Sequence, residues 1–480
     1  MTFENPFLTL GKKRPLKFLA ILVLAIAVSA CNDDDDDNNT APPTQNIVAT
    51  AQANSNLSTL VTALGKYPDL VSTLSGNGEF TVFAPSNAAF AELLEAVGQS
   101  SLDDIPEDVL RSILEYHVIA GSSLEASDLT PGDVEAVSGE DISVATTNGV
   151  VLNGSASVST ADVDASNGVV HVVDAVLVPP SVQPVVGTIV APAYFNKDFS
   201  ILVAAVVQAG LLETLLNPQA DYTLFAPTNS AFEAAGITEL PANNAEGNAL
   251  LTSILTYHVI NGTIAAADLP ETGTLAPTPV ETLGGIVYLS NKGDGVFLNG
   301  STEVVSTDID ASNGIVHVID RTLVPPSQTI ADIAVEYSSA DEPEFTQLVA
   351  ALSKVPALLE AAGNENATLT VFAPTDAAFE ALYTALGVSN MDELVDAIGV
   401  DGLTRVLQHH IAGAVAFSSD LETGEVPTLM DETLDVDVSA LTITDGSGST
   451  PPAALVPQLI NVHATNGVIH VIDKVLIPTL

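Results

Sequence analysis

The sequence predicts an α+β fold that is repeated three times along the chain. Two blocks return in the same order, and the equivalent prolines Pro85, Pro227 and Pro374 are 142 and 147 residues apart. Solenoid repeats recur roughly every 20–50 residues. The spacing here is much longer, so each unit is a whole domain. The first block is TVFAPSNAAF at 81–90, TLFAPTNSAF at 223–232 and TVFAPTDAAF at 370–379; the second is NGVVHVVD at 167–174, NGIVHVID at 313–320 and NGVIHVID at 466–473.

The first half of each domain is predicted to be helical around one short strand. Apolar residues fall at i, i+3, i+4 and i+7, which is the pattern of one buried helix face. The strand Thr81–Ala84 is predicted to end at Pro85, and the next hydroxyl residue is a predicted helix N-cap. The apolar sets are Leu57, Leu60, Val61 and Leu64; Phe199, Leu202, Val203 and Val206; Phe345, Leu348, Val349 and Leu352; the caps are Ser86, Thr228 and Thr375.

The second half of each domain is predicted to be antiparallel sheet. In the first domain, valine-rich segments alternate with Asn148-Gly149, Asn153-Gly154 and Asn167-Gly168, and Asn-Gly favours tight hairpin turns. The last strand is predicted to end at a proline, which cannot donate to a ladder. Those prolines are Pro179-Pro180, Pro325-Pro326 and Pro478. Helices followed by strands give the α+β class.

Six of the eight histidines occupy equivalent positions in the three domains. One set lies among valines and isoleucines of the second block, with an aspartate three residues later. This odd spacing puts histidine and aspartate on opposite faces of a regular strand, so we interpret both as structural: His171, His317 and His470 with Asp174, Asp320 and Asp473. The other set follows an amphipathic helix and is preceded by tyrosine in two domains: Tyr116-His117, Tyr257-His258 and His409-His410.

These two blocks, with the Tyr-His dipeptide between them, resemble the signature segments of the fasciclin domain family. The resemblance covers domain 1 (46–180), domain 2 (184–326) and domain 3 (328–480). It implies a β-sandwich or wedge flanked by helices, and adhesion or extracellular binding instead of catalysis. In that family the Tyr-His region is implicated in adhesion and its histidine in supporting the fold. The resemblance therefore makes Tyr116, His117, Tyr257, His258, His409 and His410 the candidate binding residues.

The N-terminus predicts export and lipid anchoring. Lys12, Lys13, Arg14 and Lys17 form a basic region, and Leu16–Val28 is apolar apart from Lys17. This length is typical of a secretory signal and too short to span a membrane. Val28-Ser29-Ala30-Cys31 resembles a bacterial lipobox, although a plain cleaved signal with an incidental cysteine is the alternative. We expect a signal peptide at 1–30 and a solvated acidic tether at 31–45 that contains Asp33–Asp37. Lipidated Cys31 would then be the only membrane attachment, in the outer membrane and facing the cell surface.

The charge balance excludes several classes of partner. The chain has 12 Lys and Arg against 60 Asp and Glu, a formal net charge of −48. Nucleic-acid binding depends on clustered basic residues that release counterions, and those that follow the signal segment are few and scattered. We therefore expect no nucleic-acid partner and no direct docking on anionic lipid. Salt screens the self-repulsion of such a surface, so solubility in a salty habitat explains the charge without a specific cationic ligand.

No motif predicts an enzyme, a cofactor or a metal site. The sequence lacks a GxSxG elbow, an HExxH helix and a phosphate- or dinucleotide-binding glycine loop. The segments 162–168 and 308–314 superficially resemble a calcium loop. Their glycine stands at the seventh position instead of the sixth, and Val173 or Ile319 replaces the bidentate glutamate. We expect these segments to be turns and the metal and cofactor sets to be empty.

The expected function is non-enzymatic adhesion to, or binding of, an extracellular protein or polysaccharide. One alternative is a structural scaffold of the envelope or biofilm matrix, in which copies of the chain self-associate. A periplasmic solute- or polysaccharide-handling protein is a further alternative. The absence of tryptophan and an aromatic content of 5% argue against it, since carbohydrate binding commonly uses aromatic stacking.

Overall fold

The computed structural model of the protein describes residues 43–269, 277–291, 295–430, 432–445, 447 and 451–479. The predicted signal peptide, Cys31 and most of the predicted tether lie outside the described residues. The chain forms two compact units. One contains the residues up to Val207 together with Leu212–Leu216, and the other contains Gln208–Leu211 and the residues from Asn217 onward.

Domain 1 consists of five helices and seven strands. Its sheet has the order β2-β1-β7-β6-β5-β4-β3, in which β1 and β7 are parallel and every other neighbouring pair is antiparallel. The helices are α1 Ile47–Ala53, α2 Ser58–Gly65, α3 Pro68–Ser75, α4 Asn87–Ala96 and α5 Glu107–Tyr116; the strands are β1 Phe80–Pro85, β2 Val118–Ala120, β3 Gly132–Glu135, β4 Asp141–Ala145, β5 Val151–Leu152, β6 Ala156–Ala165 and β7 Gly168–Val173.

Domain 2 repeats this topology with the strand order β9-β8-β14-β13-β12-β11-β10. It begins with the short helix α6 Ala191–Tyr194, followed by α7 Ser200–Gln208 and α8 Leu212–Leu215. The further elements are β8 Tyr222–Pro227, α9 Asn229–Ala234, α10 Ala245–Thr256, β9 Val259–Asn261, β10 Thr278–Thr282, β11 Gly285–Asn291, β12 Val296–Leu298, β13 Thr302–Ala311 and β14 Gly314–Ile319.

Domain 3 divides the corresponding strands into two four-stranded sheets, β16-β15-β22-β21 and β17-β18-β19-β20. The long strand β6 of domain 1 has no continuous counterpart, because the turn Pro457–Leu459 separates β20 from β21. The elements are α11 Ile330–Ser338, α12 Thr346–Lys354, α13 Pro356–Ala362, β15 Leu369–Pro374, α14 Asp376–Leu386, α15 Met391–His409, β16 Ile411–Ala412, β17 Gly424–Pro427, β18 Thr433–Asp437, β19 Thr442–Thr444, β20 Ala453–Ala454, β21 Val462–Ala464 and β22 Gly467–Ile472.

The central parallel pair of each domain is covered on both faces. In domain 3, one apolar core joins the helices to Val371 and Ile469, and a second core joins Phe372 and Ile472 to the other sheet. All six residues of β15 and of β22 are buried, as expected for strands packed between two layers. The predicted α+β class, with helices flanking a sandwich or wedge, is confirmed.

Several local predictions can be compared with the structure directly. The hydroxyls of Ser86, Thr228 and Thr375 each accept the backbone N–H three residues ahead at 3.2 Å, so the predicted N-caps are confirmed. The predicted end of the last strand is wrong. The strands end at Val173, Ile319 and Ile472, because the chain then leaves the ladder and bonds to a buried histidine instead of a neighbouring strand.

The glycine of the second block is required by the parallel pair. At Gly168 the φ angle is +150°, and a Cβ atom would lie 2.0 Å from the carbonyl oxygen of Phe80 on β1. Gly314 and Gly467 have the same conformation and the same 2.0 Å approach to the neighbouring strand. The Asn-Gly dipeptide of this block therefore does more than form a turn, because its glycine lets the first and last strands of the domain meet.

We predict that Gly168→Ala destabilises domain 1 far more than Gly154→Ala does. Gly154 also has a positive φ of +73°, but nothing lies within 4 Å of a Cβ placed there. The control should cost about 1 kcal/mol from left-handed backbone strain, and the Gly168 variant should lose at least about 1–3 kcal/mol more from the backbone clash. Urea unfolding, monitored by hydrogen exchange of the domain 1 amides, measures the loss of stability in both variants. Equal losses would contradict this role for Gly168.

Candidate functional site

The tyrosine of the Tyr-His dipeptide is buried and hydrogen-bonded in domains 1 and 2. Tyr116 and Tyr257 are 0% exposed. The Tyr116 hydroxyl donates to the Asp141 carbonyl at 2.6 Å, and the Tyr257 hydroxyl donates to the Ile286 carbonyl at 2.7 Å. Each hydroxyl also accepts from an asparagine side chain, at 3.0 Å from Asn153 and 3.1 Å from Asn299. Burial raises the pKa of both tyrosines, so the hydroxyls stay protonated.

The histidine that follows joins the end of a helix to the segment after the last strand. His117 Nδ1 lies 2.7 Å from the Ile113 carbonyl oxygen, and its Nε2 accepts the Leu177 N–H at 2.8 Å. Because Nε2 is the acceptor, the proton must be on Nδ1. The same two bonds occur at His258, with Ile254 and Leu323, and at His410, with Val406 and Leu476.

This set of histidines is held neutral. The rings of His117, His258 and His410 are at most 3% exposed, and burial lowers the pKa of each to about 4. A proton on Nε2 would also remove the acceptor that the backbone N–H requires. At neutral pH the three neutral rings therefore link the helix end to the segment after the last strand by two hydrogen bonds each.

The histidine of the second block makes the opposite choice of tautomer. His171 Nε2 donates to the Leu124 carbonyl at 2.8 Å, and Nδ1 accepts the Asp162 N–H at 3.3 Å. His317 and His470 repeat this pattern with Ile264 and Asp308, and with Ala416 and Asn461. Each ring packs on the phenylalanine of the first block, with 5.6 Å between the centroids of Phe83 and His171. These contacts support the predicted structural role.

The aspartates of the second block lie just beyond the last strand and are exposed. Asp174, Asp320 and Asp473 each accept a backbone N–H at the start of the adjacent strand, at 2.6–2.7 Å. This geometry supports a structural role for the aspartates as well.

Domain 3 replaces the buried tyrosine–asparagine pair by histidine and aspartate. His409 is 0% exposed, and neither ring nitrogen has a hydrogen-bond partner. Its nearest carboxylate oxygen belongs to Glu432, 3.9 Å from Nδ1. Asp445 follows β19 as Asn153 follows β5, and it accepts the Ile477 N–H at 2.9 Å. Burial lowers the pKa of His409, an effect that Glu432 and Asp445 partly oppose.

An exposed aliphatic residue lies directly beside each of these buried sites. Val137, Leu283 and Leu429 are 44%, 48% and 41% exposed. Each donates its backbone N–H, at 2.8 Å, to the carbonyl of the residue that follows the site histidine: Val118, Val259 and Ile411. We call these three the turn residues. In domains 1 and 2 the tyrosine hydroxyl binds the strand that leaves the same turn, so the buried dipeptide fixes the position of the exposed side chain there.

The structure thus separates the predicted binding residues from the surface that a ligand can reach. Tyr116, His117, Tyr257, His258, His409 and His410 are all buried, and their role in binding stays a prediction. Sequence reasoning missed the partner asparagines and the turn residues. A signal was present in each case: an Asn-Gly follows a short strand in two domains, and an aliphatic residue interrupts each polar turn.

The acidic segments that superficially resemble a calcium loop lie in strand and turn. Asp162 and Asp164 belong to β6, and Asp308 and Asp310 belong to β13. Asp162 and Asp308 have positive φ angles of 56° and 59° and mark an irregularity in the ladder. Within the residues that the structure describes, no group of three or more His, Cys, Asp or Glu side chains is placed to bind a metal.

Comparison with known proteins agrees with this repeated architecture. The Fasciclin domain family model matches three times, at residues 55–179, 197–325 and 343–478. The chain belongs to the Fasciclin domain family. Its three domains therefore share one family fold, and the features described above are variations on it.

The Fasciclin relatives include animal and bacterial proteins. The chain is 28% identical over 442 residues to transforming growth factor-beta-induced protein ig-h3 of Sus scrofa, a match that covers 91% of this chain and 58% of that protein. It is 29% identical to human periostin over 74% of this chain and 39% of periostin. Protein sll1483 of Synechocystis is 46% identical over 28% of this chain and 73% of its own length. The chain thus spans less than two thirds of ig-h3 and of periostin.

The solved structures include one related domain pair. A FAS1 domain pair from the insect cell adhesion molecule fasciclin I matches 57% of this chain and 98% of its own, with 21% identity and a TM-score of 0.27.

We predict that His117 makes the stability of domain 1 depend on pH between about 6.5 and 4. The unfolded chain binds a proton near pH 6.5 and the folded chain only near 4, so stability is complete above 6.5 and falls as the pH is lowered. The slope for one such group is about 1.4 kcal/mol per pH unit. In the His117→Gln variant, the stability of domain 1 measured by hydrogen exchange should fall with decreasing pH on a slope smaller by that amount. An unchanged slope would mean that His117 is not held neutral.

We predict that His409→Tyr combined with Asp445→Asn stabilises domain 3. The double variant restores the pair seen in the other domains and removes a buried ring without hydrogen bonds, whose cost is about 1–3 kcal/mol. The gain should exceed the sum of the two single variants, as measured by urea unfolding of all four proteins. His409→Leu is the matched control, since it removes the unpaired ring without adding a hydroxyl. Additive effects would show that the two positions are not coupled.

Proposed function

We propose that this protein is a non-enzymatic adhesion protein that binds an extracellular protein or polysaccharide through an exposed face of each Fasciclin domain. The observation that carries the proposal is the repetition of an exposed aliphatic side chain at one position of all three domains. Single exposed aliphatic residues are ordinary on protein surfaces. A threefold recurrence, with the same backbone bond to the strand that follows the site histidine, gives each domain an equivalent apolar contact point.

The surroundings of the turn residues define the chemistry of the partner. Glu135 and Glu281 precede Val137 and Leu283 by two residues and are exposed, and Glu425 precedes Leu429 by four. A complementary surface would place basic groups around a shallow apolar depression. Basic stretches of a matrix protein have this character, which makes an extracellular protein the favoured ligand and a polysaccharide the second.

Three linked weak sites are a reason for the tandem arrangement. When one domain is bound, the next encounters its site at an effective concentration set by the chain between them, which in favourable geometry raises the avidity by about 10²–10⁴. A buried Tyr-His dipeptide contributes by fixing the turn, so that little conformational entropy is lost on binding.

We further propose that the domains are held at the outer surface of the outer membrane by lipid on Cys31. The support is the sequence Val28–Cys31 with the acidic run behind it, together with secreted or cell-surface relatives. Among the described residues, no helix has the length and apolar character needed to cross a bilayer.

The scaffold function is a second proposal, favoured by one observation. Domain 3 contacts domain 2 through side chains of both domains, among them Tyr288 and Phe417 with ring centroids 5.7 Å apart. Fasciclin domains of this chain can therefore bury surface against each other. If such contacts also formed between copies, the protein would organise an envelope or matrix.

We predict that the triple variant Val137→Ser, Leu283→Ser, Leu429→Ser loses at least about tenfold in attachment, because weak linked sites multiply. Cells that display the full chain would be tested against beads coated with a basic matrix protein, a neutral polysaccharide or the chain itself. Attachment to either of the first two supports adhesion, and attachment only to the chain itself supports the scaffold.

The matched control is Leu250→Ser, Val335→Ser, Leu386→Ser, which removes three aliphatic residues that are 47–51% exposed elsewhere. Equal losses in both triple variants would contradict a role for the turn residues. Protease added to intact cells serves as the control for location. Loss of the domains, with a periplasmic lipoprotein preserved, is expected, whereas protection until the outer membrane is opened would contradict the surface location.

A further inference from the structure

A contact between domains 2 and 3 lies within the second compact unit and combines polar and aromatic groups. Ser290 Oγ donates to the carboxylate of Asp420, and Ser419 Oγ lies 3.1 Å from Ser290 Oγ. Both Ser290 and Asp420 are at most 1% exposed. We call this contact the joint: it consists of Tyr288, Ser290 and Gly300 in domain 2 and Phe417, Ser418, Ser419, Asp420, Asn461 and His463 in domain 3.

The aromatic part of the joint is a cluster of three rings. The Phe417 ring lies 5.7 Å from that of Tyr288 and 5.2 Å from that of His463, centroid to centroid. Tyr288 and His463 are 6.0 Å apart. Burial lowers the pKa of His463 to about 4, so the ring is neutral and packs as an aromatic group.

Domain 3 differs from the other domains at the residues that form this cluster. Phe417 follows the residue whose N–H binds the threonine of the first block, as Glu125 does in domain 1 and Ala265 in domain 2. His463 stands where the other domains have Asp164 and Asp310, which are exposed. A charged or small residue is thus replaced by a ring at both positions.

Asn461 shows the same change at the level of single atoms. Like Asp162 and Asp308, it has a positive φ, here 62°. Its Oδ1 accepts the Ser418 N–H at 2.7 Å, as Asp162 and Asp308 accept an alanine N–H at 2.7 and 2.8 Å. Only the other atom differs: Nδ2 of Asn461 donates to the Gly300 carbonyl at 3.1 Å. A carboxylate in this place would repel that carbonyl oxygen.

At Gly300, domain 2 contributes backbone without a side chain to the joint. A Cβ atom on Gly300 would lie 2.2 Å from the Phe417 Cβ, so only glycine leaves room for domain 3. The equivalent Gly154 of domain 1 has nothing within 4 Å of its Cβ position. The close contact with Phe417 of domain 3 is therefore specific to the Asn299-Gly300 turn of domain 2.

From these differences we infer that domain 3 carries a docking surface built for domain 2 of the same chain, which fixes the two domains as one rigid pair. The acidic counterparts Asp162 and Asp164, and Asp308 and Asp310, keep the equivalent faces of domains 1 and 2 hydrated and open. A pair of domains held in this way would act as a single element when force or a ligand pulls on the chain.

Disulfide trapping in the full chain tests the inference. The sequence has one cysteine, Cys31, so Cys31→Ser leaves a background free of thiols. Ser290→Cys with Ser419→Cys should form an intramolecular disulfide at least about tenfold faster than Ser290→Cys with Ser353→Cys, because neighbouring groups have a far higher effective concentration than flexibly tethered ones. Ser353 is exposed on α12 and serves as the distance control.

Two further variants separate the docking surface from the fold. Adding Asn461→Asp and His463→Asp should reduce the trapping rate to that of the control pair, while circular dichroism shows that the domains stay folded. The reciprocal changes Asp308→Asn and Asp310→His should leave the rate unchanged. The inference is overturned if the Ser290–Ser419 pair is trapped no faster than the control, if the aspartates have no effect, or if the disulfide links two copies of the chain.

Discussion

The parallel pairing of the first and last strands is the constraint on which each domain depends. It joins segments almost a full domain apart in sequence, such as β1 and β7, and it buries both faces of both strands. The glycine of the second block permits the close approach, and the histidine three residues later packs its hydrogen-bonded ring on the phenylalanine of the first block. Contacts of such long sequence separation form late and at high entropic cost, which explains why so many recurrent residues serve this one pairing.

The Tyr-His dipeptide has a second, separate task, which is to hold the rim of the domain. His117 joins the end of α5 to the segment beyond the last strand, and Tyr116 joins it to the strand that follows the exposed turn. Neither side chain reaches solvent. A ligand that senses this dipeptide would therefore do so through the turn residue Val137, whose position depends on the buried bonds below it. Recurrence of a motif therefore does not by itself indicate that its side chains contact a ligand.

The sequence was sufficient to predict the fold class and the helix caps. Periodicity indicates burial and hydroxyls indicate caps, because both depend on neighbours within a few residues. The end of the last strand was predicted wrongly, since proline at 179 marks where pairing is forbidden but not where it stops. The bond from the Leu177 N–H to His117 crosses 60 residues, and no local pattern reveals it. The Asp141 carbonyl that accepts the Tyr116 hydroxyl was hidden for the same reason.

Domain 3 differs from the other two domains in its buried pair, its sheet and one of its surfaces. Its buried tyrosine–asparagine pair has become His409 and Asp445, at the cost of an unpaired ring, and its sheet has divided in two. On another face, loss of the aspartates has removed like charges that would otherwise be desolvated on contact. With a net charge of −48, association between these domains is opposed by default. Asn461 and His463 lower the charge at the place of contact, and the Asp420 carboxylate that lies there accepts a hydrogen bond from Ser290 of domain 2.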